Sequence, residues 1–298
     1  MSLILVTGAN GQVGSELRYL ADRHPAFTFR FTDRQSLDIT DAAAVSAYFA
    51  TYRPAYCINT AAYTAVDRAE EEVAAAVQLN LEGPKHLATA AAANDCRLLH
   101  LSTDYVYHGT DNIPLQETAA VNPQSLYAKT KLDGDRIVKV ILPYQSIIVR
   151  TSWVYGSFGP NFVKTMVRLG RERDTLNVVY DQIGTPTYAR DLAETLLRII
   201  ARTETDAGSL RHWGQIYHYS NAGVTSWYDF AQAIFYHCNI DCRVHAIRSS
   251  AYPTPAARPP FSVLDKQKIQ SAFDLEIDWW QTALRRYFAD EELAKTDA

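Results

Sequence analysis

The sequence lacks several things that would have pointed elsewhere. Nowhere do eighteen apolar residues follow one another, whereas a membrane-spanning helix needs about 20; no membrane partner is expected. The opening MSLILVTGANG has no basic stretch leading into an apolar segment and a small-residue cleavage site, so a cytoplasmic protein is expected. Basic residues form no block, and 29 Lys and Arg stand against 33 Asp and Glu for a net charge of −4. A nucleic-acid surface needs clustered positive charge, so no nucleic-acid partner is expected. Cysteine is sparse: Cys57, Cys96, Cys238 and Cys242 read as reduced thiols, mostly in the core, and not as a disulfide framework. No repeat of fixed period occurs. What is present is an ordinary hydrophobic fraction of 47% over 298 residues. That suits one large α/β unit, or a cofactor domain with a smaller lobe.

Short apolar runs alternate with helical patterns through the first half. Strands are predicted at Ser2–Thr7, Phe27–Thr32, Tyr56–Asn59, Leu98–Ser102 and Ser146–Thr151, with helices between them. The alanine-rich helix over Val73–Ala93 is expected to break near Gly83–Pro84. This alternation implies βαβ units and a parallel sheet with helices on both faces. The fold class is therefore α/β: a Rossmann-type doubly wound parallel sheet with a smaller mixed α/β substrate-binding lobe. Residues 1–151 plus about 176–220 are assigned to the dinucleotide-binding part, and about 152–175 plus 221–298 to the lobe. The stretch from Ser250 to Phe261, with Pro253, Pro255, Pro259 and Pro260, reads as a loop. In open α/β sheets ligands bind at the carboxyl ends of the strands, so the lobe should cap that edge.

The first strand runs straight into Gly8-Ala-Asn10-Gly11-Gln12-Val13-Gly14 and then a helix. A glycine trio alone is weak, but between a first strand and a first helix it reads as a pyrophosphate site on the free N–H groups of a helix N-terminus. The second strand ends in Asp33 and Arg34. Asp33 could take the adenosine ribose hydroxyl and favour NADH, while Arg34 could take the extra phosphate of NADPH. The cofactor is therefore NADPH or NADH.

Tyr127 and Lys131 stand at i and i+4 on a predicted helix, so they face one way. The helix follows the fourth strand, whose end reads Leu101-Ser102-Thr103-Asp104. Carbonyl reduction needs a hydride and a proton. Tyr127 can supply the proton, and an ammonium at Lys131 should lower its ordinary value near ~10. Lys131 could also hold the nicotinamide ribose, and Thr103 could hold the carbonyl beside Tyr127.

Together TGANGQVG, Asn59-Thr60-Ala61-Ala62, STDYVY and YAKTK resemble the extended short-chain dehydrogenase/reductases. Within them, Leu37-Asp38-Ile39-Thr40-Asp41, Ala61-Ala62-Tyr63-Thr64-Ala65-Val66-Asp67, Arg150-Thr151-Ser152-Trp153-Val154-Tyr155 and Arg258-Pro259 are similar to the dTDP-4-dehydrorhamnose reductase family. The resemblance covers nearly the whole chain. It implies reduction of a dTDP-4-keto-6-deoxy sugar in nucleotide-sugar and cell-surface polysaccharide biosynthesis. By position it implies that Gly11, Gln12 and Val13 meet the pyrophosphate, with Gly8 and Asn10 also against the cofactor, and that Asp38 and Ile39 lie by the adenine. Ala61, Ala62, Tyr63 and Thr64 would line the cofactor groove. Thr103, Tyr127 and Lys131 would form the catalytic set, and Asp104, Trp153 and Arg258 would join the substrate side. Related dehydratases carry an Asp-Glu pair after the threonine, whereas here Asp104 is followed by Tyr105, which favours simple reduction.

Some family members bind Mg²⁺ at a dimer interface through glutamates. Glu16 matches one position, Arg190 stands where another glutamate would lie, and Glu291 and Glu292 match loosely. An arginine opposes a site of hard oxygen ligands, so no metal is expected, and the assembly is a monomer or a homodimer. His237, Cys238, Cys242 and His245 lack the spacing of common zinc sites and are expected to pack in the core. Glu70-Glu71-Glu72 is expected simply to complement a helix dipole. Two other functions stay open: reduction of a related dTDP-4-keto-6-deoxy sugar, or a non-catalytic subunit like the regulatory subunit of methionine adenosyltransferase, whose fold is similar.

Overall fold

The computed structural model describes residues 1–109 and 111–296, with 292–296 as backbone only. Six strands form one parallel sheet: β1 (Ser2–Thr7), β2 (Phe27–Thr32), β3 (Tyr56–Asn59), β4 (Arg97–Thr103), β5 (Ser146–Thr151) and β6 (Gln215–Tyr219). Their spatial order is β6-β5-β4-β3-β1-β2. The order reverses between β1 and β3, which opens a crevice above the carboxyl ends of these two strands. Ile4, Leu5 and Val6 of β1 are all buried, as a strand covered on both faces must be.

Two apolar layers sandwich the sheet. On one face Leu17, Leu192, Leu196 and Ile199 pack against Ile4, Val6 and Val149. On the other, Val45, Phe49, Leu87 and Val138 cover Leu5, Leu98 and Ile148. The expected break near Gly83 is present as a π-helical turn, Gln78–Glu82, leading into the helix Gly83–Ala93. A third cluster, aromatic in character, builds the lobe from Tyr155, Tyr188, Phe230, Trp280 and Tyr287.

Packing departs from the sequence-based division in two places. Strand Thr175–Val179 pairs with Arg243–Ile247, and Leu176 and Val178 join the lobe cluster. The helix Gln267–Phe273 instead lays Ile269 and Phe273 on the sheet core. The sequence pattern places a strand after the helix that ends near Cys238 but no helix at Gln267–Phe273, which is short and whose apolar residues meet partners distant in the chain.

Candidate active site

The glycine-rich turn connects β1 to the helix Gln12–Leu20. Gly8 has φ +70°, and a Cβ there would lie 2.5 Å from the Ala61 amide nitrogen; any other residue would be both strained and obstructed. The helix begins on Gly11 with no side-chain cap, so its first N–H groups are left for an outside acceptor, as an anion site requires. These features fit a pyrophosphate. The groove beside them has a volume of about 530 Å³ and is lined by Gly8, Asn10, Gly11, Asp33, Arg34, Asp38, Ile39, Ala61 and Ala62, among others.

Other expected cofactor residues lie off that groove. Val13 is buried in the sheet core. The Gln12 amide donates to the Val154 carbonyl at 3.4 Å. Thr64 is exposed, and the Tyr63 hydroxyl donates to Glu72 at 2.6 Å. Asp33 accepts from the Gln35 and Ser36 amides at 3.1 and 3.0 Å and from Asn10 at 2.9 Å. The Ser36 and Asn10 bonds hold its carboxyl below the usual range. The Arg34 side chain is 87% exposed, with its nearest carboxylate, Asp38, at 3.6 Å. Asp33 is thus heavily engaged by its own turn, while the Arg34 guanidinium beside it stands largely exposed.

At the end of β4, the Thr103 hydroxyl donates to Asp104 at 3.2 Å and accepts from the Tyr105 amide at 3.2 Å. It also lies against the Tyr127 phenol. Tyr127 and Lys131 project from the helix Leu126–Ile141, which Ser125 caps through the Ala128 amide. The Lys131 ammonium is buried and donates to the Leu101 carbonyl at 2.6 Å. Burial pushes Tyr127 up to about 12 and Lys131 down to about 8. The expectation that Lys131 lowers Tyr127 is therefore corrected. Desolvation is the largest influence on the phenol, the carboxyls of Asp104 and Asp135 push the same way, and the ammonium is directed at a backbone carbonyl. Asp104 is buried and raised to about 7 by desolvation, which the hydroxyls of Ser262 and Thr103 offset in part. One of its oxygens, Oδ2, has no hydrogen-bond partner.

Trp153, expected on the substrate side, has φ +48°. Among the described residues, Arg53, Asp95, Asn239 and Asp274 share a positive φ but stand at or just past helix ends, where it is ordinary. Trp153 ends none, and such a backbone costs about 1–3 kcal/mol. Its ring stacks on Trp227 at 3.6 Å with the planes 10° apart, and its carbonyl accepts from Thr187. Arg258 forms a two-armed pair with Asp67 at 3.1 and 2.8 Å. It borders a second cavity of about 360 Å³ with Tyr252, Gln182 and Asp181.

Arg190 bridges Glu16 and Asp290, each at 2.8 Å, so the glutamate of the metal-site resemblance faces a guanidinium. The Glu292 side chain lies outside the described residues. Among those described, no group of three His, Cys, Asp or Glu could hold a metal ion. Cys57, Cys96 and Cys242 are buried and Cys238 is half-buried. Glu70 does more than complement a dipole: its carboxylate accepts from the Leu126 amide at 2.8 Å and so fixes the start of the helix carrying Tyr127. That contact, the Trp227 stack, the Asp67 pair and a buried cluster around Asp135 escaped sequence reasoning. For Asp135 a signal existed, since it stands four residues beyond Lys131.

The model of the RmlD substrate binding domain family matches residues 1–293. A dTDP-4-dehydrorhamnose reductase of Aggregatibacter actinomycetemcomitans is 42% identical over 98% of this chain and 100% of its own. A probable dTDP-4,6-dihydroxy-2-methyloxan-3-one 4-ketoreductase of Streptomyces antibioticus is 40% identical over 96% of this chain and 94% of its own. The solved dTDP-4-dehydrorhamnose reductase of Bacillus anthracis, in complex with NADP, superposes with a TM-score of 0.90 at 35% identity, covering 97% of this chain and 100% of that one. With the motifs of its sequence spread along that whole match, the chain belongs to the RmlD substrate binding domain family.

Proposed function

We propose that the protein reduces the 4-keto group of dTDP-4-dehydro-L-rhamnose to dTDP-L-rhamnose in the cytoplasm, with NADPH or NADH as reductant. The observation that carries this reading is the meeting of Thr103, Tyr127 and Lys131 at the carboxyl end of β4, beside an uncapped helix N-terminus and its groove. The groove residues Gly8, Asn10, Gly11, Ala61 and Ala62 would hold the dinucleotide, and Asp33, Arg34, Asp38 and Ile39 its adenosine end. When bound, the reduced nicotinamide supplies the hydride that converts the carbonyl carbon to an alkoxide carbon. Tyr127, protonated at neutral pH, gives its hydroxyl proton to that oxygen. Thr103 holds the oxygen in line, exchanging its bond to Asp104 for one to substrate. Lys131, anchored on the Leu101 carbonyl one helical turn from Tyr127, would hold the nicotinamide ribose. The spare oxygen of Asp104 is suited to a sugar hydroxyl, and the Trp153–Trp227 stack to an apolar sugar face. Tyr105 supplies no second carboxylate, so water elimination lacks its base.

A related dTDP-4-keto-6-deoxy sugar is the second reading, favoured by the likeness to the Streptomyces antibioticus relative. The test is oxidation of NADPH and of NADH by the purified protein with dTDP-4-dehydrorhamnose, with the product's C4 configuration read by NMR. No turnover, combined with stoichiometric binding to another enzyme, would favour a non-catalytic subunit. The assembly we propose is a monomer or a homodimer independent of Mg²⁺; dissociation by EDTA would contradict it.

A further inference from the structure

Behind the reacting groups lies a buried polar cluster to which the proposed chemistry assigns no role. Asp135 is four residues beyond Lys131 on the same helix, and only 1% of it is exposed. Its Oδ2 accepts from Arg150 Nε of β5 at 3.1 Å. Its Oδ1 has no hydrogen-bond partner, and 3.8 Å away lies His100 Nε2 of β4, also unpartnered. The state of His100 follows from its other nitrogen. Asn59 uses its carbonyl to accept from Thr7 and from the Ala61 amide, at 2.8 and 3.1 Å. Its amide nitrogen therefore donates to His100 Nδ1, 3.0 Å away, and in the neutral ring the proton is on Nε2, facing Asp135. Burial and the Lys131 charge keep that ring neutral. Arg150 continues outward, donating to the Tyr107 hydroxyl at 2.7 Å, which meets His218 at 2.8 Å.

A buried carboxylate with one spare oxygen, beside a buried ammonium on the next turn, is a counter-charge. We propose that Asp135 is a positioning residue for Lys131, holding it charged one helical turn beyond Tyr127. The titratable groups that act on Lys131 or feel its charge are Asp135 on its own helix and His100 on β4, and, through Asp135, Arg150 on β5. Of these, Asp135 opposes the fall that burial imposes on Lys131. Without its charge the lysine should lose its proton at lower pH. The alkaline limb of kcat/KM should move down with it.

The experiment titrates Lys131 in full-length protein labelled with ¹³C at the lysine Cε, the signal assigned by its loss in Lys131→Arg. Asp135→Asn should lower the Lys131 midpoint by about one pH unit or more, and Asp135→Glu should restore most of it. If Asp135→Asn does not fold with Arg150 unopposed, Asp135→Asn with Arg150→Gln removes both buried charges and should lower the midpoint in the same sense. An unmoved Lys131 midpoint in whichever of these variants folds overturns the proposal. The kinetic arm, which rests on the carbonyl-reduction reading, follows the alkaline limb of kcat/KM in the same variants. A limb that stays in place while turnover persists also overturns it. Because the NMR titration needs neither substrate nor cofactor, absent wild-type turnover would reject the functional reading separately.

Discussion

The cofactor side and the substrate side of the cleft are built on different principles. The cofactor groove draws mainly on three short contiguous segments that follow β1, β2 and β3, the first of them one tight turn. The proposed substrate side comprises two contacts between residues distant in the chain, the Trp153–Trp227 stack beside Gly184 and the Arg258–Asp67 pair. A dinucleotide presents the same phosphates to many enzymes, and a turn of fixed spacing can bind it. A particular sugar needs side chains whose positions depend on distant packing. Changes on the first side should therefore affect cofactor affinity, and changes on the second should affect the sugar while leaving the cofactor alone.

The proton donor between the two sides should give the largest effect. Tyr127→Phe keeps the ring but removes the proton, and kcat should fall by about a thousandfold while the cofactor Kd, read by fluorescence titration, stays within twofold to threefold of wild type (about 0.5 kcal/mol). Retained turnover would show that the proton comes from elsewhere.

Gly184→Ala probes the sugar side at one remove. The added Cβ would meet the Trp153 ring at 2.7 Å and the Ser262 hydroxyl at 3.0 Å, so the stacked indole must move. A misplacement of this kind should reduce kcat/KM for the sugar nucleotide by about 10- to 100-fold, with the KM for NADPH unchanged. An equal rise in both KM values would mean that the two sides are not separable.

How much of this was legible follows from the same contrast. Residues 8–14 announce themselves because the turn chemistry is contiguous and each glycine answers a local need. Tyr127 and Lys131 were legible because helical spacing brings them to one face. The direction of Tyr127's shift was not, since sequence shows a lysine nearby but cannot weigh its charge against desolvation. The family resemblance points to Trp153, yet its left-handed backbone and its partner 74 residues on, Trp227, depend on the lobe's aromatic packing. Asp67 was quoted only as part of a motif, and nothing local pairs it with Arg258.

That last pair gives the smallest and most discriminating test. Arg258 is held by Asp67 with side-chain exposures of 23% and 40%, and partly exposed ion pairs contribute only about 0–1 kcal/mol. Exchanging the carboxylate for a diphosphate would then cost little, since a guanidinium accepts either in the same two-armed geometry. If Arg258 serves the substrate, Arg258→Ala should raise the KM for the sugar nucleotide by about tenfold, an effect of about 1.4 kcal/mol. Asp67→Asn, which releases the arginine, should change it by no more than about fivefold, in the direction of tighter binding. If Arg258 only braces the proline-rich loop, both variants should lower the melting temperature together and leave that KM where it was. The sign of the Asp67→Asn effect on KM therefore separates an arginine held in reserve for phosphate from one that holds the loop.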